Sequence, residues 1–248
     1  MTTLSPDTSA KGFLEQEPNP ARYDNASSSP DDAAFKIAAL LPKGARVLDI
    51  GCGSGAVSAL LRELSGCDIT AVEPDSARVA MARRRGLRVI EGCLTEEIAA
   101  ELGNFDAIIF ADVLEHLANP ADLIASASAL LLPTGFLVAS VPNAAHWTLR
   151  LNLVRGRFDY EDCGIMDATH LRWFTHRTVK RFFERLGFEV VFMDQTMMID
   201  LPCYNKRKPW KWIPVGIKRS LLRGLIRLNP TLFGCQIVIQ AKPKPPRV

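Results

Sequence analysis

The chain has 248 residues, 48% hydrophobic and 23% charged, which suits one globular α/β domain with some decoration. No apolar run approaches the roughly 20 residues that span a bilayer, and the polar N-terminus lacks a signal-peptide core, which argues against a membrane-spanning or secreted protein. The net charge of +3 conceals a division: residues 1–200 hold 19 basic and 27 acidic side chains, while the residues after Asp200 hold eleven basic and none acidic.

Residues 1–30, rich in Ser, Pro, Asp and Asn, are expected to form a loose arm ahead of a folded domain over 31–241. Asp31 or Asp32 can cap a helix over 33–41, which Pro42-Lys43-Gly44 would stop. The run RVLDI (46–50) reads as a buried strand leading into the glycine-rich GCGSG (51–55) and a helix over 56–65. Strand DITAV (68–72) ends at Glu73, and helices over 77–85, 96–102 and 120–132 alternate with strands at 88–92, 105–112 and 135–141. This alternation predicts a parallel sheet with helices on both faces. A helix over 178–186 and strands at 188–194 and 235–241 follow, the last two suited to an antiparallel pair at the sheet edge. Residues 196–233 read as a basic amphipathic insertion and 242–248 as a tail. The six cysteines form no CxxC pair, which fits a reducing cytoplasm better than a disulfide framework.

The strand–turn–helix unit at 46–65 is where function is expected. Glycines let backbone approach a ligand, and helix N-terminal amides attract anionic groups. Glu73 closes the next strand 22 residues after Gly51, placed to accept both ribose hydroxyls of an adenosine. GCGSGA also satisfies a dinucleotide-binding pattern. Asp49, two residues before the first glycine, favours a cationic nucleoside, because it would repel a pyrophosphate.

VLDIGCGSG resembles motif I of class I S-adenosylmethionine-dependent methyltransferases, and Glu73 in AVEPD resembles their acidic ribose contact. FDAIIFADVLEHLANP, LLPTGFLVASVPN and HLRWFTHRTVKRFFERLGFEV resemble their later blocks in the same order, covering residues 35–195 or so. The resemblance implies a Rossmann-like α/β fold with a seven-stranded, mostly parallel sheet and an antiparallel C-terminal strand. It implies S-adenosyl-L-methionine as methyl donor, held by Asp49, Gly51, Cys52, Gly53, Gly55 and Glu73, with Ala111 and Asp112 along its methionine part. Where many relatives carry Asp after the third strand, this chain has Gly92-Cys93-Leu94, so the adenine contact would come from backbone or apolar groups at Cys93 and Leu94.

For the acceptor, Asp112-Val113-Leu114-Glu115-His116 resembles the ExxEH metal site of small-RNA 2′-O-methyltransferases and ubiquinone-biosynthesis O-methyltransferases. Residues 167–175 resemble the later histidine stretch of the RNA enzymes. Carried over, Asp112, Glu115, His116 and His170 would hold Mg²⁺ or Mn²⁺. Equally open are His170 as a metal-free general base with Asp167 orienting it, His116 sharing the catalytic role, and purely structural roles for Glu115, His116 and His170. His146, beside Trp147, either lines the acceptor pocket or packs on that tryptophan. His176 is expected in the first turn of a helix capped by Thr175.

Residues 206–228 place Ile217, Leu221, Leu225 and Leu228 on one helical stripe, widened by Leu222 and Ile226, with Lys218, Arg219, Arg223 and Arg227 opposite. Such a helix can lie on anionic lipid, at the inner face of the plasma membrane, or pack its stripe on its own domain. Nucleic acid is the third and least favoured partner, since the rest of the chain is net acidic. The leading expectation is O-methylation of a sugar or glycan hydroxyl, with Trp147, Tyr160 and Trp173 available to stack on the sugar. The alternatives are a phenolic or quinone O-methyltransferase, a catalytically silent donor- or partner-binding domain, and a nicotinamide oxidoreductase.

Overall fold

The computed structural model describes residues 29–198 and 210–245. Most of the expected arm, part of the insertion and the end of the tail lie outside those residues. The sheet has seven strands in the order β3-β2-β1-β4-β5-β7-β6. β1 (Arg46–Ile50), β2 (Asp68–Glu73), β3 (Arg88–Glu91), β4 (Phe105–Ala111) and β5 (Leu131–Pro142) run parallel. β7 (Gln236–Pro243) lies antiparallel between β5 and the edge strand β6 (Phe188–Gln195). The expected antiparallel pair is therefore at the sheet edge, with the C-terminal strand on its inner side.

Alternation along the central strands divides the core between the two faces of the sheet. Leu48, Ile108, Phe110, Leu137 and Ile239 point to one face, where α4 (Glu96–Leu102), α5 (Pro120–Ser128) and α7 (His176–Arg185) cover them. Val47, Ile109, Val138 and Val238 point to the other, under Ile37 of α1 (Ala33–Ala38) and Leu61 of α2 (Ala56–Ser65). α3 (Ser76–Arg84) packs Val79 and Ala82 beside β2 and β3.

Three local expectations change. α1 stops at Ala38, and Asp32 occupies its N-cap without a side-chain cap bond. The helix expected over 120–132 ends at Ser128, because Leu131 already pairs with Phe105 as the start of β5. Trp147–Val154 forms a helix, α6, in a stretch to which the sequence pattern assigns no element.

In the insertion, a 3₁₀ turn at Trp210–Trp212 precedes α8 (Val215–Leu228), and the short α9 (Pro230–Phe233) returns the chain to β7. Asn143 pins that return by donating from Nδ2 to the carbonyls of Thr231 (2.8 Å) and Gly234 (2.7 Å). α8 packs on its own domain, but turned from the expected stripe. Leu222 is buried against Met197, with Trp147, Trp210, Leu225 and Ile226 around it, while Ile217, Leu221 and Leu228 stay exposed.

Candidate active site

The carboxyl ends of β1, β2, β4 and β5 open into one cavity of about 1270 Å³. It exceeds an ordinary small-molecule pocket, leaving room for a donor and an acceptor together. On one side the loop after β1 turns through three glycines with positive φ: Gly51 at 77°, Gly53 at 57° and Gly55 at 77°. A Cβ on Gly55 would stand 2.7 Å from the Ala82 methyl and 2.9 Å from its Cα, so the loop presses on α3 there. A Cβ on Gly53 would meet nothing within 4 Å, because Gly53 faces the cavity.

Glu73 is buried and braces this loop. Its Oε2 accepts the Gly53 N–H at 2.8 Å and its Oε1 accepts the Asp75 N–H at 3.1 Å. Gly51, Cys52, Gly53, Glu73, Cys93, Leu94, Ala111 and Asp112 all line the cavity as expected. Burial pushes the Cys52 thiol far up, so it stays protonated.

Asp49 and Gly55 are placed differently: neither lines the cavity. Asp49 lies under the loop, where Oδ2 accepts the Ser58 hydroxyl and buried Oδ1 has no partner. Desolvation pushes its carboxyl up to about 6, Ser58 pulls it down, and the Glu73 charge adds to the rise. Its influence on a cation in the cavity is a field effect rather than a contact.

The opposite side is built from loops distant in sequence. After β4 the chain turns sharply at Asp112, whose φ of 54° is the only positive value at a non-glycine among the described residues. Its carboxylate is held by the Ser140 hydroxyl at 3.0 Å and by Gln236 Nε2 at 2.7 Å, and desolvation lifts it to about 6. A 3₁₀ turn, Leu114–His116, follows. The Glu115 carbonyl accepts the backbone N–H groups of Leu171 and Arg172, and the Arg172 guanidinium donates to the Ala118 carbonyl, tying the 165–173 loop over this turn.

Glu115, His116 and His170 converge, with ligating atoms within 4.8 Å of one another and imidazole centroids 4.8 Å apart. Both Glu115 carboxyl oxygens are buried without a hydrogen-bond partner. Desolvation, reinforced by Asp112, holds that carboxyl well above its usual range. The His170 Nδ1 stands 3.1 Å from the Ile165 carbonyl and the His116 Nδ1 stands 3.3 Å from the Thr169 carbonyl. A carbonyl only accepts, which assigns the proton to each Nδ1 and leaves each Nε2 basic. Asp167 accepts from the Thr169 N–H and hydroxyl, and that hydroxyl lies 3.1 Å from His116 Nδ1. Asp167 is thus coupled to His116 through Thr169. Asp112 stands outside the three-residue cluster, its oxygens engaged by Ser140 and Gln236.

His146 is fully buried, caps α6 and packs its ring 5.9 Å from that of Trp147. His176 heads α7 behind the Thr175 capping box, as expected. Of the three aromatic residues considered for a sugar, only Trp147 lines the cavity. Tyr160 and Trp173 instead pack edge-on against Phe158. Ser58, Ser140, Thr169 and Gln236 hold the candidate site residues, a role that no sequence pattern assigns to them.

A parallel sheet with a glycine turn and acidic partner at its carboxyl edge defines a Rossmann-like nucleoside-binding enzyme. A family model described as a methyltransferase domain matches residues 26–192, and the chain belongs to that family. A ubiquinone biosynthesis O-methyltransferase of Xanthomonas oryzae pv. oryzae is 35% identical over 164 residues, covering 58% of this chain and 62% of its own length. A mitochondrial protein of the same description from Arabidopsis thaliana is 37% identical over 108 residues, covering 41% of this chain and 33% of its own. The chain therefore spans less than two thirds of the length of the curated relatives it matches. Among solved structures, an S-adenosylmethionine-dependent methyltransferase from Archaeoglobus fulgidus superposes with a TM-score of 0.56 at 21% identity, over 85% of this chain and 94% of that one. One from Thiobacillus denitrificans, in complex with S-adenosyl-L-homocysteine, gives 0.53 at 16% identity, over 93% and 95%. The fold is that of S-adenosylmethionine-dependent methyltransferases.

Proposed function

We propose that the chain transfers the methyl group of S-adenosylmethionine to a hydroxyl on an apolar, phenolic or quinol-like acceptor. The observation that carries this reading is one cavity joining two unlike walls: the glycine loop with Glu73, and the cluster of Glu115, His116 and His170. Val113, Leu117, Leu123, Leu151 and Met198 also line this cavity, a surface suited to a ring and an apolar tail rather than to a polyhydroxylated sugar. The relatives described as ubiquinone biosynthesis O-methyltransferases support the phenolic acceptor over the glycan expected from sequence.

Methyl transfer from a sulfonium is an in-line displacement: the acceptor oxygen forms its bond to the methyl carbon as the carbon–sulfur bond breaks, leaving neutral S-adenosylhomocysteine. Orientation supplies much of the rate, and the hydroxyl must lose its proton. The Nε2 of His170 or His116 receives that proton, each ring being held by its Nδ1 bond to a backbone carbonyl. The orphaned Glu115 carboxylate and two basic nitrogens also fit a divalent cation, Mn²⁺ better than Mg²⁺ because two of three ligands are imidazoles. Such an ion would bind vicinal oxygens and lower the acceptor's pKa.

The test is transfer of labelled methyl into catechols carrying apolar tails and into glycan extracts, with and without a chelator. Label in the catechols supports the reading. Label confined to glycans overturns the acceptor, and no affinity for S-adenosylhomocysteine overturns the donor.

A further inference from the structure

The insertion between β6 and β7 does nothing for the sheet, yet the helix it carries is half unpartnered. Leu222 and Lys218 of α8 are buried, and Leu225 and Ile226 are partly buried beside the Met197–Leu222 cluster, as are Trp147 and Trp210. One strip of the helix is different. Ile217, Leu221 and Leu228 fall at i, i+4 and i+11, on one face through Gly224. They are 56%, 48% and 84% exposed, and Val215 and Trp212 at the near end are 60% and 68% exposed. The chain thus displays five large apolar side chains along one helix and the turn before it, where a helix resting on its own domain would show polar groups.

The charges beside this strip are of one sign. From Trp210 to Pro245 there are seven basic residues and no acidic one. Asp31 offsets part of this, accepting from Arg223 at 3.0 Å with Arg219 at 3.5 Å. Lys211 and Arg227 remain exposed beside the strip, and no acidic residue lies on 210–228. Apolar side chains standing proud of a helix beside exposed cations such as Lys211 and Arg227 match an anionic bilayer surface, whose acyl boundary takes the strip and whose headgroups take the charges.

We infer that the exposed strip Ile217–Leu221–Leu228, with Trp212, docks the enzyme on an anionic lipid membrane. Trp147 links α8 to the catalytic cavity: it packs with the Met197–Leu222 cluster and is also one of the residues that line the cavity. Docking would bring the enzyme to the phase that holds a lipid-soluble acceptor. That last step rests on the acceptor proposed above, whereas the docking does not.

The experiment is vesicle flotation of the full chain with phosphatidylcholine alone and with roughly one third phosphatidylglycerol, at low and high salt. S-adenosylhomocysteine affinity is measured on the same preparations, so that failure to dock is distinct from failure of the donor site. The expected result is binding to the anionic vesicles alone, weakened by salt. It should fall at least tenfold in the variant I217S/L221S/L228S, with donor affinity unchanged. Vesicles should blue-shift the tryptophan fluorescence, and Trp212→Phe should remove most of that shift. Absence of anionic-vesicle binding, or equal binding by the triple variant, overturns the inference. So does a wild-type dimer that the triple variant converts to monomer, because the strip would then be a self-interface.

Discussion

The two walls of the cavity are built by different means. The donor wall is mostly backbone and is local: Gly53 donates to Glu73 twenty residues on, and Gly51 donates to the Val72 carbonyl. The acceptor wall is assembled from distant segments: the Glu115 backbone carbonyl accepts from the N–H groups of Leu171 and Arg172, and the His116 side chain reaches the Thr169 carbonyl across 53 residues. A backbone site tolerates change outside its glycines and acids. A site stitched from two loops depends on every stitch, and its polar groups are stranded when no ligand is present. The donor wall should therefore report in affinity and the acceptor wall in turnover.

The largest expected effect tests that division directly. Glu115→Gln and His170→Ala should each lower kcat by about 100-fold or more, the range for losing a positioned proton acceptor or ligand, while S-adenosylhomocysteine affinity stays within about twofold. Glu73→Ala should do the reverse, weakening the donor by about 10- to 100-fold through loss of charge-assisted bonds. Isothermal titration and single-turnover kinetics separate the two. Equal losses of donor affinity in Glu115→Gln and Glu73→Ala would show that the walls are one site. Mn²⁺ should raise the thermal midpoint of the wild type and leave that of Glu115→Gln unmoved.

Next in size is a contrast within the donor loop. Gly55→Ala puts a methyl against Ala82 and Leu87 at a residue with φ of 77°, and overpacking with left-handed strain together cost about 3 kcal/mol. Gly53→Ala carries the strain alone, about 1–2 kcal/mol, but thrusts its methyl into the cavity. Denaturant unfolding should show the greater loss for Gly55→Ala, and calorimetry the greater loss of donor affinity for Gly53→Ala. If both variants lost only stability, Gly53 would not face the donor.

The acid beneath the loop predicts a pH dependence of similar size. Asp49 ionises near 3.8 when unfolded and at about 6 when folded. Between those values the folded state holds the extra proton, so the contribution of Asp49 to stability is complete below about pH 4 and is lost as pH rises through 6, by about 3 kcal/mol. Asp112, lifted to about 6 as well, and Glu115, held well above its usual range, act in the same direction, so Asp49→Asn should remove only part of the combined fall. Urea unfolding at pH 4.5 and 7.5 measures it. A fall unchanged in Asp49→Asn would mean that Asp49 is not buried as a carboxylic acid.

The contrast between the walls also explains what could be read from the chain. VLDIGCGSG and Glu73 carry their geometry in their spacing, because a strand, a turn and a helix in succession leave little choice of placement. The approach of Glu115, His116 and His170 was suggested by resemblance alone, since no local rule brings residue 115 to residue 170. The part of Asp112 was harder still. The resemblance to the ExxEH site groups it with Glu115, but the chain turns there through a left-handed residue, and its partners Ser140 and Gln236 come from β5 and β7. α8 was legible as amphipathic, but which side faces inward depends on Trp147 and Met197, and no pattern within the helix specifies that.

The smallest effect concerns the border of the acceptor wall. His146 is buried, accepts from the Thr148 N–H as the cap of α6 and lies 3.8 Å from Cys235 through Nε2. Burial lowers its pKa to about 4, so it folds neutral. The stability tied to that neutral ring is complete above about pH 6.5 and is lost as pH falls toward 4, opposite in sign to the effect of Asp49. His146→Ala should cost about 1 kcal/mol at pH 7.5 through the lost cap, and His146→Asn, which keeps a capping acceptor, less. Neither should change kcat more than about twofold if His146 only holds α6 in place. A large fall in kcat with unfolding unchanged would move the chemistry to the β5–α6 turn, and the acceptor wall would then have a third loop.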